Sequence, residues 1–365
     1  MTFKVGTKYM FKNKNSNKYL DIHGNQTTNN ANIQQYEYLA TSLSERFFMQ
    51  KLDNNYYAII SCLSGKVLDV SGNQKTDHAN IQQYDWTGHD SGQWYLRPEE
   101  DGHYIIQSKL SGRVLDIEGN QKGNNANVQQ LELRQNEPSE RWKIEEDGEV
   151  TLPSIETKKR PPVPKCSQLD EELPDKTEKI VTNYTVIPCI LVENDPLYIS
   201  KADQVQNNPY YMIVKKQNWR KMADYILAPG ESHEIINTTG ITETAQKIMR
   251  ETTGMSVQAD MGFNFEGISG GYSIQLSHEL EIAISHSRET LKQETQKHKI
   301  VNVKKSDMRF VQYILETEYS LQRQNGSTVK SWSLNDKNTI HSVSYCPTDS
   351  DSNVIGAISD IETIS

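Results

Sequence analysis

A chain of 365 residues is long enough for two ordinary domains, because a single core seldom grows beyond about 250 residues. With 35% hydrophobic and 24% charged residues and 18 Tyr, it reads as a polar, β-rich globular protein, neither disordered nor membrane-resident. A formal charge of -9, with no basic stripe interleaved with aromatics, argues against a nucleic-acid partner.

The first residues, Met1-Thr2-Phe3-Lys4-Val5-Gly6-Thr7, lack the charged stretch and the roughly 7 to 15 apolar residues of a secretory leader, so classical export is not expected. No window approaches the roughly 20 apolar residues of a spanning helix, and the most apolar run, Val186 to Val192, is broken by Pro188. Any membrane role must therefore use strands or peripheral contacts. Cys62, Cys166, Cys189 and Cys346 are scattered without CxxC or Cys/His spacing, so no metal or cofactor is expected. The spacing leaves buried thiols and one disulfide equally open.

An internal repeat organises residues 1–153. KYLDIHGNQTTNNANIQQYEY begins at Lys18, KVLDVSGNQKTDHANIQQYDW at Lys66 and RVLDIEGNQKGNNANVQQLEL at Arg113. A second signature keeps step with the first: Ser44-Glu45-Arg46-Phe47, Ser91-Gly92-Gln93-Trp94 and Ser139-Glu140-Arg141-Trp142. Each unit reads as short strands around a Gly-Asn-Gln turn, and none could bury its apolar face alone. Pooling Leu20, Leu68 and Leu115, Ile33, Ile81 and Val128, and Phe47, Trp94 and Trp142 about a pseudo-threefold axis predicts a closed β-trefoil.

The Leu-Asp, Gln-x-Tyr and Ser-x-x-aromatic pattern resembles the ricin-B type β-trefoil lectins. That resemblance implies one shallow sugar pocket per repeat: Asp21, Gln34 and Tyr36; Asp69, Gln82 and Tyr84; and Asp116 with Gln129. Chemically the set is apt, since a hexose offers a hydroxylated rim to a carboxylate and an amide and a C-H face to a flat ring. Leu131 stands where the third ring would be, so that site is expected to be degenerate. Glu45, Gly92 and Glu140 replace the Gln of the usual Gln-x-Trp motif. The competing reading makes the repeated Asp and Gln ties of the fold.

Composition shifts at Thr151-Leu152-Pro153, and residues 154–179, with KKRPPVPKCSQLDEELPDK from Lys158, read as a Pro-rich charged linker that runs extended over the surface or spaces two domains. Residues 180–365 then form a second domain of long polar-rich strands, at Tyr184 to Val192, Tyr210 to Lys216, Val301 to Val303, Met308 to Leu321 and Val329 to Leu334. A short helix is expected near Gln217 to Ala223. Without alternating βα units, nucleotide-binding and barrel-enzyme folds do not fit. The fold class is all-β.

Within 253–287 apolar side chains alternate through Met255, Val257, Ala259, Met261, Phe263 and Phe265, then through Tyr272, Ile274, Leu276, Leu280, Ile282 and Ile284, about a turn at Glu266 to Gly271. This predicts a two-faced β-hairpin interrupted by His278. Each arm exceeds the roughly 9 to 11 residues a tilted strand needs to cross a bilayer, and apolar-out, polar-in alternation suits a barrel wall. One hairpin leaves its edges unsatisfied in lipid, so several chains would have to close a ring. The same period fits an ordinary hairpin with one face on a soluble core.

The segments Val186 to Val192, Asn194-Asp195-Pro196, and Pro209 to Lys216 with Trp219, behind a trefoil, resemble the bacterial Bin or Toxin-10 insecticidal crystal toxins. The resemblance implies an elongated aerolysin-like pore-forming domain, storage as a parasporal crystal inclusion, and action outside the producing cell on target membranes. It also implies proteolytic activation, homo-oligomerisation, recognition of glycans or glycosylated receptors, and often a second toxin component; the tail from Asp349 is read as a removable propeptide. No catalytic residue is expected: His278-Glu279-Leu280-Glu281-Ile282 lacks the second histidine of a zinc-protease motif. The alternatives are a lectin without pore activity and a carbohydrate-active enzyme with an appended lectin.

Overall fold

A computed structural model describes residues 3–52, 55–193, 195–268, 270–347 and 361–363. The architecture is mostly β, with a trefoil first and a β-sheet domain second. The first repeat supplies β1 (Thr7–Asn13), β2 (Tyr19–Ile22), β3 (Ile33–Tyr36) and β4 (Phe47–Lys51). The second supplies β5 (Tyr56–Ser61), β6 (Val67–Val70), β7 (Ile81–Tyr84) and β8 (Trp94–Pro98). The third supplies β9 (Tyr104–Ser108), β10 (Val114–Ile117), β11 (Ala126–Leu131) and β12 (Trp142–Glu149). Pairings β1–β4, β4–β5, β5–β8, β8–β9, β9–β12 and β12–β1 close a ring, while β2–β3, β6–β7 and β10–β11 form three hairpins.

The expected core forms. Leu20, Leu68, Leu115, Ile33, Ile81, Val128, Phe47, Trp94 and Trp142 share one buried cluster, and the indole N–H groups of Trp94 and Trp142 donate to Leu68 O and Leu115 O at 2.9 and 3.3 Å. In each Gly-Asn turn both residues have positive φ, near 62° at Gly24 and 53° at Asn25, which explains why the same pair recurs. The second glutamine of each Ile/Val-Gln-Gln run binds the preceding or following repeat, as where Gln83 Nε2 donates to Gln26 O and Thr28 O at 2.9 Å.

The second half begins with β13 (Ile180–Pro188), then α1 (Lys201–Asn207), β14 (Tyr210–Leu227) and β15 (Ser232–Thr239). After these come α2 (Glu243–Thr253), β16 (Met255–Val257), β17 (Phe263–Phe265), α3 (Gly270–Leu280), β18 (Glu294–Val301), β19 (Met308–Arg323), β20 (Thr328–Tyr345) and β21 (Ile361–Thr363). An antiparallel sheet runs β13-β14-β19-β20, and a smaller one runs β15-β18-β21. The helix expected at Gln217 to Ala223 is instead the middle of β14, because Trp219 pairs with Leu315 on one side and meets Thr177 on the other. Ladder bonds on both edges outweigh a weak local preference. Of the expected Val301 to Val303 strand only Val301 lies in β18, and the expected 184–192 strand ends at Pro188 in a short 3-10 turn.

Residues 154–179 do not hang free. They run without helix or strand across the large sheet, with Trp219 Nε1 donating to Pro161 O at 2.8 Å, Tyr313 OH to Pro174 O at 2.8 Å, and Leu173 buried against Trp219, Val311 and Tyr313. The two halves share a core in which Phe48, Ile60 and Cys62 meet Ile187, Cys189 and Tyr210. All four cysteines are thiols. The tail from Asp349 lies outside the described residues except at β21, which pairs Ile361 with Ile300; Asn194 also lies outside them.

Candidate functional site

The trefoil hairpins put each repeated aspartate directly opposite its glutamine: Asp21 faces Gln34, Asp69 faces Gln82 and Asp116 faces Gln129. In the first repeat Gln34 Nε2 donates to Asp21 Oδ2 at 2.8 Å, Ser44 Oγ donates to Oδ1 at 2.5 Å, and His23 Nδ1 lies 2.8 Å from Gln34 Oε1. In the second, Gln82 Nε2 reaches Asp69 Oδ1 at 3.2 Å and Ser91 also bonds the carboxylate. The three aspartates are only 4%, 8% and 1% exposed, and burial raises the pKa of Asp21 and Asp69 against the pull of these donors. Tyr36 and Tyr84, two residues beyond Gln34 and Gln82 on β3 and β7, are half-buried.

In the third repeat an arginine occupies the carboxylates. Arg134 Nη2 donates to Asp116 Oδ1 at 2.9 Å and its Nε to Glu140 Oε1 at 2.6 Å, beside Leu131 in place of a ring. Glu45, the counterpart of Glu140, meets no such arginine among the described residues. It accepts from Leu39 N at 2.9 Å, its Oε1 meets no donor among the described residues, and burial pushes its pKa up to about 7.

The long hairpin expected over 253–287 is not what this conformation contains. The first arm is itself folded into a three-pair hairpin, Met255 with Phe265, Ser256 with Asn264 and Val257 with Phe263. The second arm is α3. The physical reason lies in a degeneracy: Tyr272, Leu276 and Leu280 are spaced by two turns of alternation and equally by one helical turn, and all three are buried. Ile274 breaks the tie, standing 62% exposed on the outer face of the helix. Met255, Val257, Phe263 and Phe265 are buried in the core shared by both halves, Met261 and Ile282 pack partly buried against it, and Ile284 is exposed.

Three anchors of this segment carry no motif. Lys215, on β14, donates from Nζ to Leu280 O at 2.9 Å and Glu281 O at 3.0 Å, capping the carbonyl end of α3, and desolvation lowers its pKa to about 8. Thr185 on β13 bonds Glu279. Asp260 accepts from Ser285 Oγ at 2.7 Å and His286 N at 2.9 Å, which with other donors lowers its pKa to about 2. Only the interruption of an apolar strand by Lys215 could have signalled the first.

Residues 2–84, 43–131 and 92–168 match the ricin-type β-trefoil lectin domain-like family, and residues 180–344 match the family described as insecticidal crystal toxin, P42. The binary larvicide subunit BinA of Lysinibacillus sphaericus is 30% identical over 198 residues, 52% of each chain. The insecticidal crystal protein Cry35Ab1 of Bacillus thuringiensis is 29% identical over 223 residues, 58% of this chain and 57% of its own. The chain therefore aligns with about half the length of these curated relatives. The crystal structure of Cry35Ab1 shares the fold, with a TM-score of 0.77, 21% identity and coverage of 94% of this chain and 91% of that one.

Proposed function

We propose that this chain, a ricin-type trefoil joined to an insecticidal-crystal-toxin half, is a non-enzymatic toxin component that binds cell-surface glycans and forms a membrane pore after oligomerising. Proteolytic activation, storage as a crystalline inclusion and cooperation with a second protein belong to the same reading, supported by relatives named as crystal proteins and binary larvicide subunits.

One observation carries the pore. Strands β15 and β18 pair without slip from Ser232 with Val301 to Thr239 with Glu294, and Gly240 to Gln293 is an excursion between them. Continued in the same register, that ladder would set Ser256 opposite Ser277, Gln258 opposite Gln275 and Asp260 opposite Ser273 on one face. The other face would pair Val257 with Leu276, Ala259 with Ile274 and Met261 with Tyr272, and the chain would reverse at Glu266-Gly267. A register set outside the segment thus sorts its polar and apolar residues onto opposite faces, with His278 opposite Met255 as the one break in the apolar face between 255 and 278, much as the wall of a water-filled barrel requires. Leaving the soluble core costs about 1.5–3 kcal/mol for each large apolar side chain, so lipid must replace the lost burial.

The test is planar-bilayer conductance together with a polarity-sensitive fluorophore on single cysteines placed from 255 to 261 and from 272 to 278. Period-two alternation on membranes supports the hairpin; silence, or a helical period, overturns it. For the trefoil, the Asp-Gln pair beside Tyr36 and Tyr84 supports sugar recognition, and Asp21→Asn with Asp69→Asn should abolish glycan-array binding while the melting curve persists.

A further inference from the structure

We propose that the loop from Asp85 to His89 of the second trefoil repeat is a latch that holds the tip of the Gly240–Gln293 excursion, and that a glycan in the Asp69 pocket loosens it. This rests on the membrane-segment reading above. Trp86 Nε1 donates to Gly267 O at 2.9 Å. Gly88, at φ +75°, lies so close that a Cβ there would stand 3.0 Å from Gly267 O and 3.1 Å from its Cα. Trp86 and Ile268 both pack on the core shared by the two halves. Gly267 is also where the continued β15–β18 register reverses, so the residue held is the tip itself.

The second repeat departs from its siblings at this loop. It is one residue shorter between the shared aspartate and serine. Gly92 replaces Glu45 and Glu140, and a Cβ there would already touch the Trp86 ring at 3.8 Å. Gln93 replaces Arg46 and Arg141, and its Nε2 braces the loop from within by donating to Gly88 O at 2.9 Å. Lys66 Nζ and Asn29 Nδ2 fix the other end through Asp85, at 2.6 and 2.7 Å. By contrast Tyr38, the first repeat's counterpart of Trp86, stands exposed.

The loop runs on into Gly92, which lies against β6, where a Cβ would stand 3.2 Å from Val67 Cγ2 and 3.8 Å from Leu68 O, and Ser91 beside it bonds Asp69 of the proposed sugar site. One short stretch therefore reaches the proposed sugar site and grips the tip. A ligand that shifts the loop binds the released form more tightly, and by linkage release favours the ligand equally.

Hydrogen–deuterium exchange on the soluble chain, with no membrane present, tests the latch. Trp86→Phe keeps an aromatic ring, though a smaller one, and removes the donor. Amides 263–268 should exchange about fivefold faster, the equivalent of one net hydrogen bond, while β6 and β7 stay unchanged. Unchanged exchange at 263–268, or loss of protection in β6 and β7 alone, overturns the latch. For the coupling, lactose, N-acetylgalactosamine and N-acetylglucosamine are each added at millimolar concentration to the wild-type chain. A sugar that protects β6 and β7 should expose 263–268 in the same sample. Protection without exposure, or no protection by any of the three, overturns the coupling. Because no readout involves lipid, silent bilayers would remove the pore reading and leave the latch standing.

Discussion

The trefoil and the Gly240–Gln293 excursion are held in different ways. In the trefoil every repeat closes the ring of its neighbours, and each Gln35, Gln83 or Gln130 binds backbone carbonyls of another repeat. No element can leave without opening the whole. The excursion is held by an apolar face and a few separate anchors, Lys215 on α3, Thr185 on Glu279 and Trp86 on Gly267. Its flanking strands meanwhile offer a ladder that could run on. Distributed ties make a part persist; a few removable ones, beside an alternative pairing, make a part that can change partners.

The largest expected effect falls on the trefoil. Trp94→Ala empties a fully buried site and removes the bond to Leu68 O, and should cost about 3–5 kcal/mol in denaturant unfolding. A loss confined to one repeat would show that the ring is less cooperative than its pairing implies. In the excursion, Leu276→Ala should cost about 2–5 kcal/mol and Ile274→Ala less than about 0.5. Equal costs would mean that the soluble form is already a strand there.

The alternation in the excursion was legible, and so was the turn, yet the conformation was not. Residues two apart and residues four apart are both satisfied by Tyr272, Leu276 and Leu280, so period alone leaves helix and strand degenerate until a packing surface selects one. The trefoil escaped this ambiguity because three copies had to satisfy one core. Its candidate sites were legible only as sets of residues: that Arg134 bonds Asp116 in the third, and that the aspartates are nearly buried, depends on side chains arriving from loops without a fixed spacing.

A smaller effect follows from Glu45. Its carboxyl is raised from 4.5 to about 7 by burial, so its contribution to stability is present below about pH 4.5 and lost as the pH rises through about 7. Against Glu45→Gln, the native chain should lose about 1–3 kcal/mol across that window, read from urea midpoints. Arg134 beside Glu140 should blunt the corresponding loss in the third repeat. An effect of about the same size tests the symmetry itself: Gly24→Ala, Gly72→Ala and Gly119→Ala should each cost about 1 kcal/mol, since the three share one left-handed conformation in equivalent turns.

By itself the amino-acid sequence determined the threefold core, the turn residues and the two-faced character of 253–287, because each is a local period or a repeated local choice, while the grouping of each Asp with its Gln came from the lectin resemblance. Only the tertiary structure decided that Gln217 to Ala223 is strand, that 154–179 lies along a sheet, that the excursion rests as a helix and a short hairpin, and that Trp86 grips Gly267. Those outcomes turn on which surfaces meet across long separations, and a single chain's pattern records the faces available for burial without recording what will cover them.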